Sequence, residues 1–396
     1  MVDEGALAAA AAAVDPAEVL DFTRALIAAK SENPGGTEDE AAAVALDILT
    51  GLGAEPEIVR SEAGRPSVVA TLGDAAGPSL AWNGHLDVVP AGSLDTWLHD
   101  PWAGALDDDG RLVGRGAADM KGPIAAALAA ACALRRAGTT MAGRLVFHLA
   151  ADEELAGIHG TKVLWERGLL TQDAAIVGEP SGLQVGLAER GGAWFTATAY
   201  GAAAHGSQPH RGVNAITSMA RFLLRLPEVL PAREHPLVGS PTVNAALISG
   251  GSAPNVVPDR CEVDIDRRTV PGEIDPDEVR APFLALVASL REEHPEVDIQ
   301  VELREWTDAA EASPDTDIAR IASDAVAAST GARPELVGFT GITDARFYIN
   351  QARIPTVICG PGSLTVAHTA NESVPFEELV TGVRSYARMF AAFLGA

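Results

Sequence analysis

Apolar positions recur at two different spacings along this chain, and the two alternate. Val19, Phe22 and Leu26, joined by Leu20 and Ile27, keep helical spacing after an Asp15-Pro16 pair that suits the first turn of a helix. Thr37-Glu38-Asp39-Glu40 reads as a capping box opening a second helix, which carries Val44, Leu46, Ile48 and Leu49 and stops near Gly51 and Gly53. Strand-like runs follow at 57–60, 67–72 and 79–89. Residues 144–151 are almost continuously apolar, the pattern of a strand buried on both faces of a parallel sheet, and 174–177 is another strand of that kind. Between 79–89 and 144–151 a short strand at 111–113 leads to a helix over 123–136.

Near residue 188 the character changes. Amphipathic strands are expected at 192–200, 242–247, 260–266 and 297–304, with helices at 213–226 and 275–293. That order describes an α+β sandwich inserted into the first domain. From residue 307 a helix at 316–329, a strand at 355–359 and a closing helix at 376–393 resume the first pattern. The expected class is therefore α/β: a discontinuous catalytic domain, 1–187 and 306–396, with a mostly parallel sheet flanked by helices, and an inserted lid at 188–305.

Composition narrows the partners. A chain of 396 residues exceeds one ordinary core, and 47% hydrophobic residues can fill two. The formal net charge of −25 argues against nucleic acid and anionic membrane surfaces. Cys132, Cys261 and Cys359 lie far apart without paired spacing, so reduced thiols are expected. Asp3 and Glu4 precede the N-terminal alanine run where a secretory signal would be basic, and no apolar run reaches membrane-spanning length. These features read as a soluble cytoplasmic protein.

The chemistry collects at strand ends. His85 closes an apolar strand two residues before Asp87, and alternate side chains of an extended segment share a face, so Asp87 is placed to fix the imidazole tautomer. Asp119 precedes the helix after 111–113, where it suits either an N-cap or a ligand. Asp152-Glu153-Glu154 ends the buried strand 144–151, and Gly178-Glu179-Pro180 ends 174–177. Open α/β sheets bind ligands at that edge. His368 sits in the glycine-rich loop after 355–359.

Two imidazoles and four carboxylates suit a pair of divalent ions. One ion takes His85 and Glu179, the other His368 and Glu154, and Asp119 bridges them. Zinc fits best, with cobalt or manganese as substitutes. Glu153 is left over, expected on the opposite side of the chain from Glu154, as the general base on a metal-bridging water; the reaction class is amide hydrolysis.

Asn83-Gly84-His85-Leu86-Asp87, Gly116 to Gly122, Asp152-Glu153-Glu154, Gly178-Glu179-Pro180 and the His368 loop together resemble the ordered motifs of the zinc-dependent M20 family, which includes acetylornithine deacetylase, succinyl-diaminopimelate desuccinylase, aminoacylase-1 and glutamate carboxypeptidase. The resemblance implies the same ligand and base roles, two zinc ions, Asp87 as the partner of His85, a cis peptide after Asp119 and a homodimer formed through the lid. It also implies that His205, in Ala203-Ala204-His205-Gly206-Ser207, reaches the partner subunit's active site and stabilises the oxyanion. Asn255 and Arg268 match positions that hold a substrate carboxylate, and Gly360 matches one that lines the substrate pocket. Arg267 stands next to Arg268, and the choice between them rests on motif register. His148, inside strand 144–151, reads as a core residue.

Glutamate at position 179 resembles the deacylase and desuccinylase members, whereas aspartate there goes with the peptidases. The leading expectation is removal of an acetyl, succinyl or similar group from a small N-acyl amino acid. A metallo-exopeptidase or dipeptidase using the same centre is the alternative, and a non-catalytic binding protein of this fold is a third.

Overall fold

In the computed structural model, which describes residues 4–73 and 76–395, the chain divides into two compact units. One comprises residues 1–187, 311–339 and 343–396; the other comprises 188–310 and 340–342.

The first unit is built on a mixed sheet. Among the described residues, seven of its nine strands run in the order Glu57–Arg60, Pro66–Leu72, Arg144–Ala150, Ser79–His85, Ala174–Val177, Thr356–Ile358 and Val185–Glu189. The central four are parallel, and the flanking pairs are antiparallel. Strands buried on both faces need apolar residues throughout, and Ser79–His85 and Ala174–Val177 are buried at every position. Trp82 anchors one side, edge-on to Tyr386 at 5.7 Å between ring centres and against Phe147 at 6.0 Å. The closing helix Phe376–Leu394 packs over this face with Lys121–Arg136, Asp317–Thr330 and Glu4–Ala12. The last of these is the N-terminal alanine run, which periodicity left without an element; Leu7, Ala10 and Ala11 are buried. Alanine is the strongest intrinsic helix former, and its small size allows close packing.

Two local expectations are corrected. Helix Asp39–Gly51 begins after Glu38, whose side chain is buried and paired with Arg65, and Thr37 Oγ1 accepts only the Asp39 N–H, so no capping box forms. Strand Arg111–Val113 is not in the main sheet. It is too short to span it, and pairs antiparallel with Ser373–Pro375 and Ala105–Leu106 in a separate small sheet.

The second unit is a four-stranded antiparallel sheet, ordered Thr242–Gly250, Arg260–Thr269, Gly191–Tyr200 and Asp298–Thr307, covered by helices Ala215–Arg225 and Pro276–Glu293. Its core centres on Phe195 and Phe283, whose rings lie 4.5 Å apart. Thr242–Gly250 is an edge strand exposed almost throughout, with Leu247 and Ile248 67% and 63% exposed.

Candidate metal centre

Within the first unit, the ends of the parallel strands and two loops bring six side chains into one cleft. His85 is the last residue of its strand. The chain after Arg144–Ala150 turns sharply at Asp152, whose φ of 63° is left-handed, into a single helical turn, Glu153–Leu155. Such a turn rotates about 120° per residue. From this turn both acids reach the cleft, Glu153 toward His85 and Glu154 toward His368. Glu179 follows Ala174–Val177, and there Gly360 crosses so closely that a Cβ would lie 2.2 Å from the Gly178 carbonyl oxygen and 2.6 Å from that of Glu179. Only glycine permits that approach.

Asp119 sits at the centre. His85 Nε2 lies 3.0 Å from its Oδ1, and His368 Nε2 lies 3.3 Å from its Oδ2. The two carboxylate oxygens are thus divided between the two imidazoles. Glu179 Oε1 is 3.8 Å from His85 Nε2, and Glu154 Oε2 is 3.0 Å from His368 Nε2. Glu153 Oε2 comes within 3.9 Å of His85 Nε2, as near as Glu179, so distance alone does not separate base from ligand. Asp119 does not cap the following helix, which begins at Lys121 without a side-chain cap. The Asp119–Met120 peptide is cis, as the resemblance implied.

The ring of His85 is held by residue 87, through the backbone: Nδ1 donates to the Asp87 carbonyl at 2.9 Å, with the carboxylate at 3.5 Å. The carboxylate itself accepts the N–H groups of Glu153 and Glu154 and the Asn33 side-chain amide. Asn33 also donates to Asp152, and Arg65 pairs with Glu38, which accepts the Asp152 N–H. Asp152 entered the sequence reading only as part of its acidic run and Glu38 only in the capping box, and Asn33 and Arg65 were not singled out at all. Nor were Asp344, a buried carboxylate that accepts from Thr161 Oγ1 at 2.6 Å, and Glu372, which accepts the backbone N–H groups of Ala118 and Asp119.

The electrostatics call for cations. Burial, reinforced by Glu179, Asp344 and Glu154, pushes the Glu153 carboxyl well above the ordinary carboxylate range. Burial with the charges of Asp119, Glu154 and Asp344 does the same to Glu179, and burial raises Glu154. Hydrogen bonds to Asp119 and Glu154 raise His368 to about 10. Burial opposes charge on His85 and on Asp119, yet their mutual bond and their other partners raise the histidine and lower the aspartate. The crowded acids thus favour positive charge in the cleft. Glu154 Oε1 and Glu179 Oε1 are buried without a hydrogen-bond partner, which a cation would supply. Glu153 has no such orphaned oxygen among the described residues. His85 with Glu153 and Glu179, and His85 with Asp119 and Glu154, each present ligand atoms within 4.8 Å of one another. Imidazole plus carboxylate is a donor set that suits zinc-like ions.

In the second unit, His205 and Asn255 come together: His205 bridges to Val256, and the Gly206 N–H donates to the Asn255 carbonyl at 2.7 Å. Arg267 is buried against Glu273, at 2.6 Å, while Arg268 is partly exposed and paired with Asp266 at 3.0 Å.

The model of peptidase family M20/M25/M40 matches residues 81–392. The chain belongs to this family. An acetylornithine deacetylase from Myxococcus xanthus is 33% identical to this M20 chain over 358 residues, covering 87% of it and 89% of the relative. An M20 family metallo-carboxypeptidase from Sulfolobus solfataricus shares the fold at a TM-score of 0.79 and 18% identity, over 95% of this chain and 99% of the other. A dinuclear metal-binding M20 peptidase from Bacillus subtilis matches at a TM-score of 0.67 and 18% identity, over 96% and 98%. The M20 chain is accordingly a metallohydrolase of mixed α/β fold, and among its described residues no helix is long and apolar enough to cross a membrane.

Proposed function

We propose that this M20 chain removes an acetyl, succinyl or similar acyl group from a small N-acyl amino acid, using two zinc ions for which cobalt or manganese can substitute. The observation that carries the metal reading is the division of Asp119 between two imidazoles, each with its own second carboxylate. His85 and Glu179 would hold one ion, His368 and Glu154 the other, and Asp119 both. Such ions, when bound, acidify water and polarise a carbonyl.

Glu153 is the general base. It takes a proton from the attacking water as the water oxygen bonds to the acyl carbon; the C–N bond then breaks, and Glu153 returns the proton to the departing amine. Burial suits it to this work, because a carboxyl held above its ordinary range can both accept and donate near neutrality.

His205 is assigned to the oxyanion. Its Nδ1 accepts the Ser207 N–H at 3.2 Å, which places the ring proton on Nε2 and makes that exposed nitrogen a donor. Asn255 and Arg268 bind the substrate carboxylate, and Gly360 lines the pocket; Arg267 is buried against Glu273, whereas Arg268, paired through Nε with Asp266, is partly exposed, which favours Arg268 as the guanidinium that a substrate reaches. The exposed apolar edge of Thr242–Gly250 supports a homodimer through the second unit. Three free cysteines support a cytoplasmic location.

Glu179 and the deacetylase relative favour deacylation over peptide hydrolysis. The test is a panel of N-acetyl, N-succinyl and N-formyl amino acids beside dipeptides, assayed with added zinc or cobalt. Turnover of an N-acyl amino acid above every dipeptide is expected. Dipeptides turned over faster would replace this reading with an exopeptidase, and no hydrolysis of either would leave a binding protein.

A further inference from the structure

We propose that Glu372 is a positioning residue that locks Asp119 to the His368 loop and so sets the affinity of the cation position formed by His368 and Glu154. The inference rests on the reading of Asp119 as a shared ligand. Glu372 stands four residues beyond His368, yet its Oε1 accepts the N–H of Ala118 at 2.9 Å and of Asp119 itself at 3.0 Å. Its Oε2 accepts from Arg115 Nη1 at 2.5 Å. Its backbone carbonyl takes the Gly114 N–H at 2.9 Å, extending the ladder in which Ser373 pairs with Val113. One buried side chain thus ties together two loops separated by about 250 residues, each of which carries a candidate ligand.

A carboxylate is required there. Two adjacent N–H groups converge on one oxygen and a buried guanidinium faces the other, so both oxygens are engaged as acceptors. Arg115 is itself fixed, lying 5.3 Å from the Trp97 ring centre and reaching the Pro90 carbonyl. A glutamine offers one acceptor oxygen and would turn an NH2 group toward either the guanidinium or the two N–H donors.

The consequence is unequal for the two cation positions. His85 closes a buried strand and is braced by the Asp87 carbonyl, so that position keeps its geometry when Asp119 loosens. His368 lies on a loop, with φ 61° and a side chain 53% exposed. Beside Glu372, that loop is tied by Asn371, which accepts the Leu98 N–H and donates to the Thr96 carbonyl. Releasing Glu372 disturbs Asp119 and His368 together.

The experiment titrates Co²⁺ into metal-free wild type, Glu372→Gln and Glu372→Asp, reading the visible Co²⁺ bands and competition with a chromophoric chelator. Wild type is expected to bind two ions. Both variants should bind the first within about threefold of wild type and the second about 10–100-fold more weakly, the range for groups that orient metal ligands. Glu372→Asp keeps the charge opposite Arg115, which guards against a misfolded glutamine variant, while its shorter side chain falls away from the N–H pair. Folded variants that bind both ions as wild type does, or lose both equally, would overturn the proposal. Fewer than two ions on wild type would refute the dinuclear reading itself, a result legible without the variants.

Discussion

The carboxylate of Asp87 accepts the backbone N–H of Glu153 at 3.1 Å. Its second oxygen accepts the Glu154 N–H at 3.1 Å and the Asn33 amide at 2.8 Å. Asp87 therefore does more than face His85: it sets the turn that aims both acids. Asp87→Asn presents an NH2 group to at least one of these donors, and is expected to weaken metal binding by about 10–100-fold. Chelator competition measures this; unchanged affinity would remove Asp87 from the architecture of the centre.

Glu153→Gln keeps the size of the base and removes its proton chemistry. The variant should retain both cations and lose about 10²–10⁴-fold in kcat. Metal analysis and steady-state kinetics on the same preparation check this. Loss of a cation together with activity would make Glu153 a ligand instead.

Metal uptake should expel protons. Burial raises Glu154 and Glu179, and hydrogen bonds raise His368 to about 10, so the metal-free centre holds protons on groups that must be bare to bind a cation. The free protein is the more protonated state, so apparent affinity increases with pH. Titration calorimetry in buffers of different ionisation enthalpy counts the protons; pH-independent binding would contradict this picture.

His148 makes the fold acid-sensitive. It is fully buried, with Nδ1 2.7 Å from Tyr348 Oη, and burial lowers its pKa from 6.5 to about 4. Above 6.5 the imidazole is neutral whether folded or unfolded. Below that, the unfolded chain takes a proton that the folded one refuses until about 4, so stability falls as pH drops through this window, by on the order of 3 kcal/mol in total. Thermal unfolding of His148→Gln against wild type, both metal-free, should show a shallower acid decline in the variant. Parallel declines would assign the acid sensitivity elsewhere.

The strand-end groups were legible because local patterns expose them: His85, Glu154 and Glu179 each terminate or closely follow an apolar run that admits few other polar residues. What braces them was not. Glu372 and Arg115 are 257 residues apart, and Asn33 and Asp152 are 119 apart. Glu372, Arg115 and Asn33 read in sequence as ordinary polar residues, and only the folded backbone shows that each is buried with a partner. The turn that carries Glu153 and Glu154 was hidden for the same kind of reason. An extended chain alternates sides, and nothing local announced the left-handed Asp152 that starts the turn.

Anomalous diffraction from crystals grown with zinc tests the centre most directly. Two peaks are expected, one among His85, Glu179 and Asp119 and the other among His368, Glu154 and Asp119, with Glu153 bound to neither. A single peak, or none in this cleft, would contradict the shared-carboxylate centre on which the proposed chemistry depends.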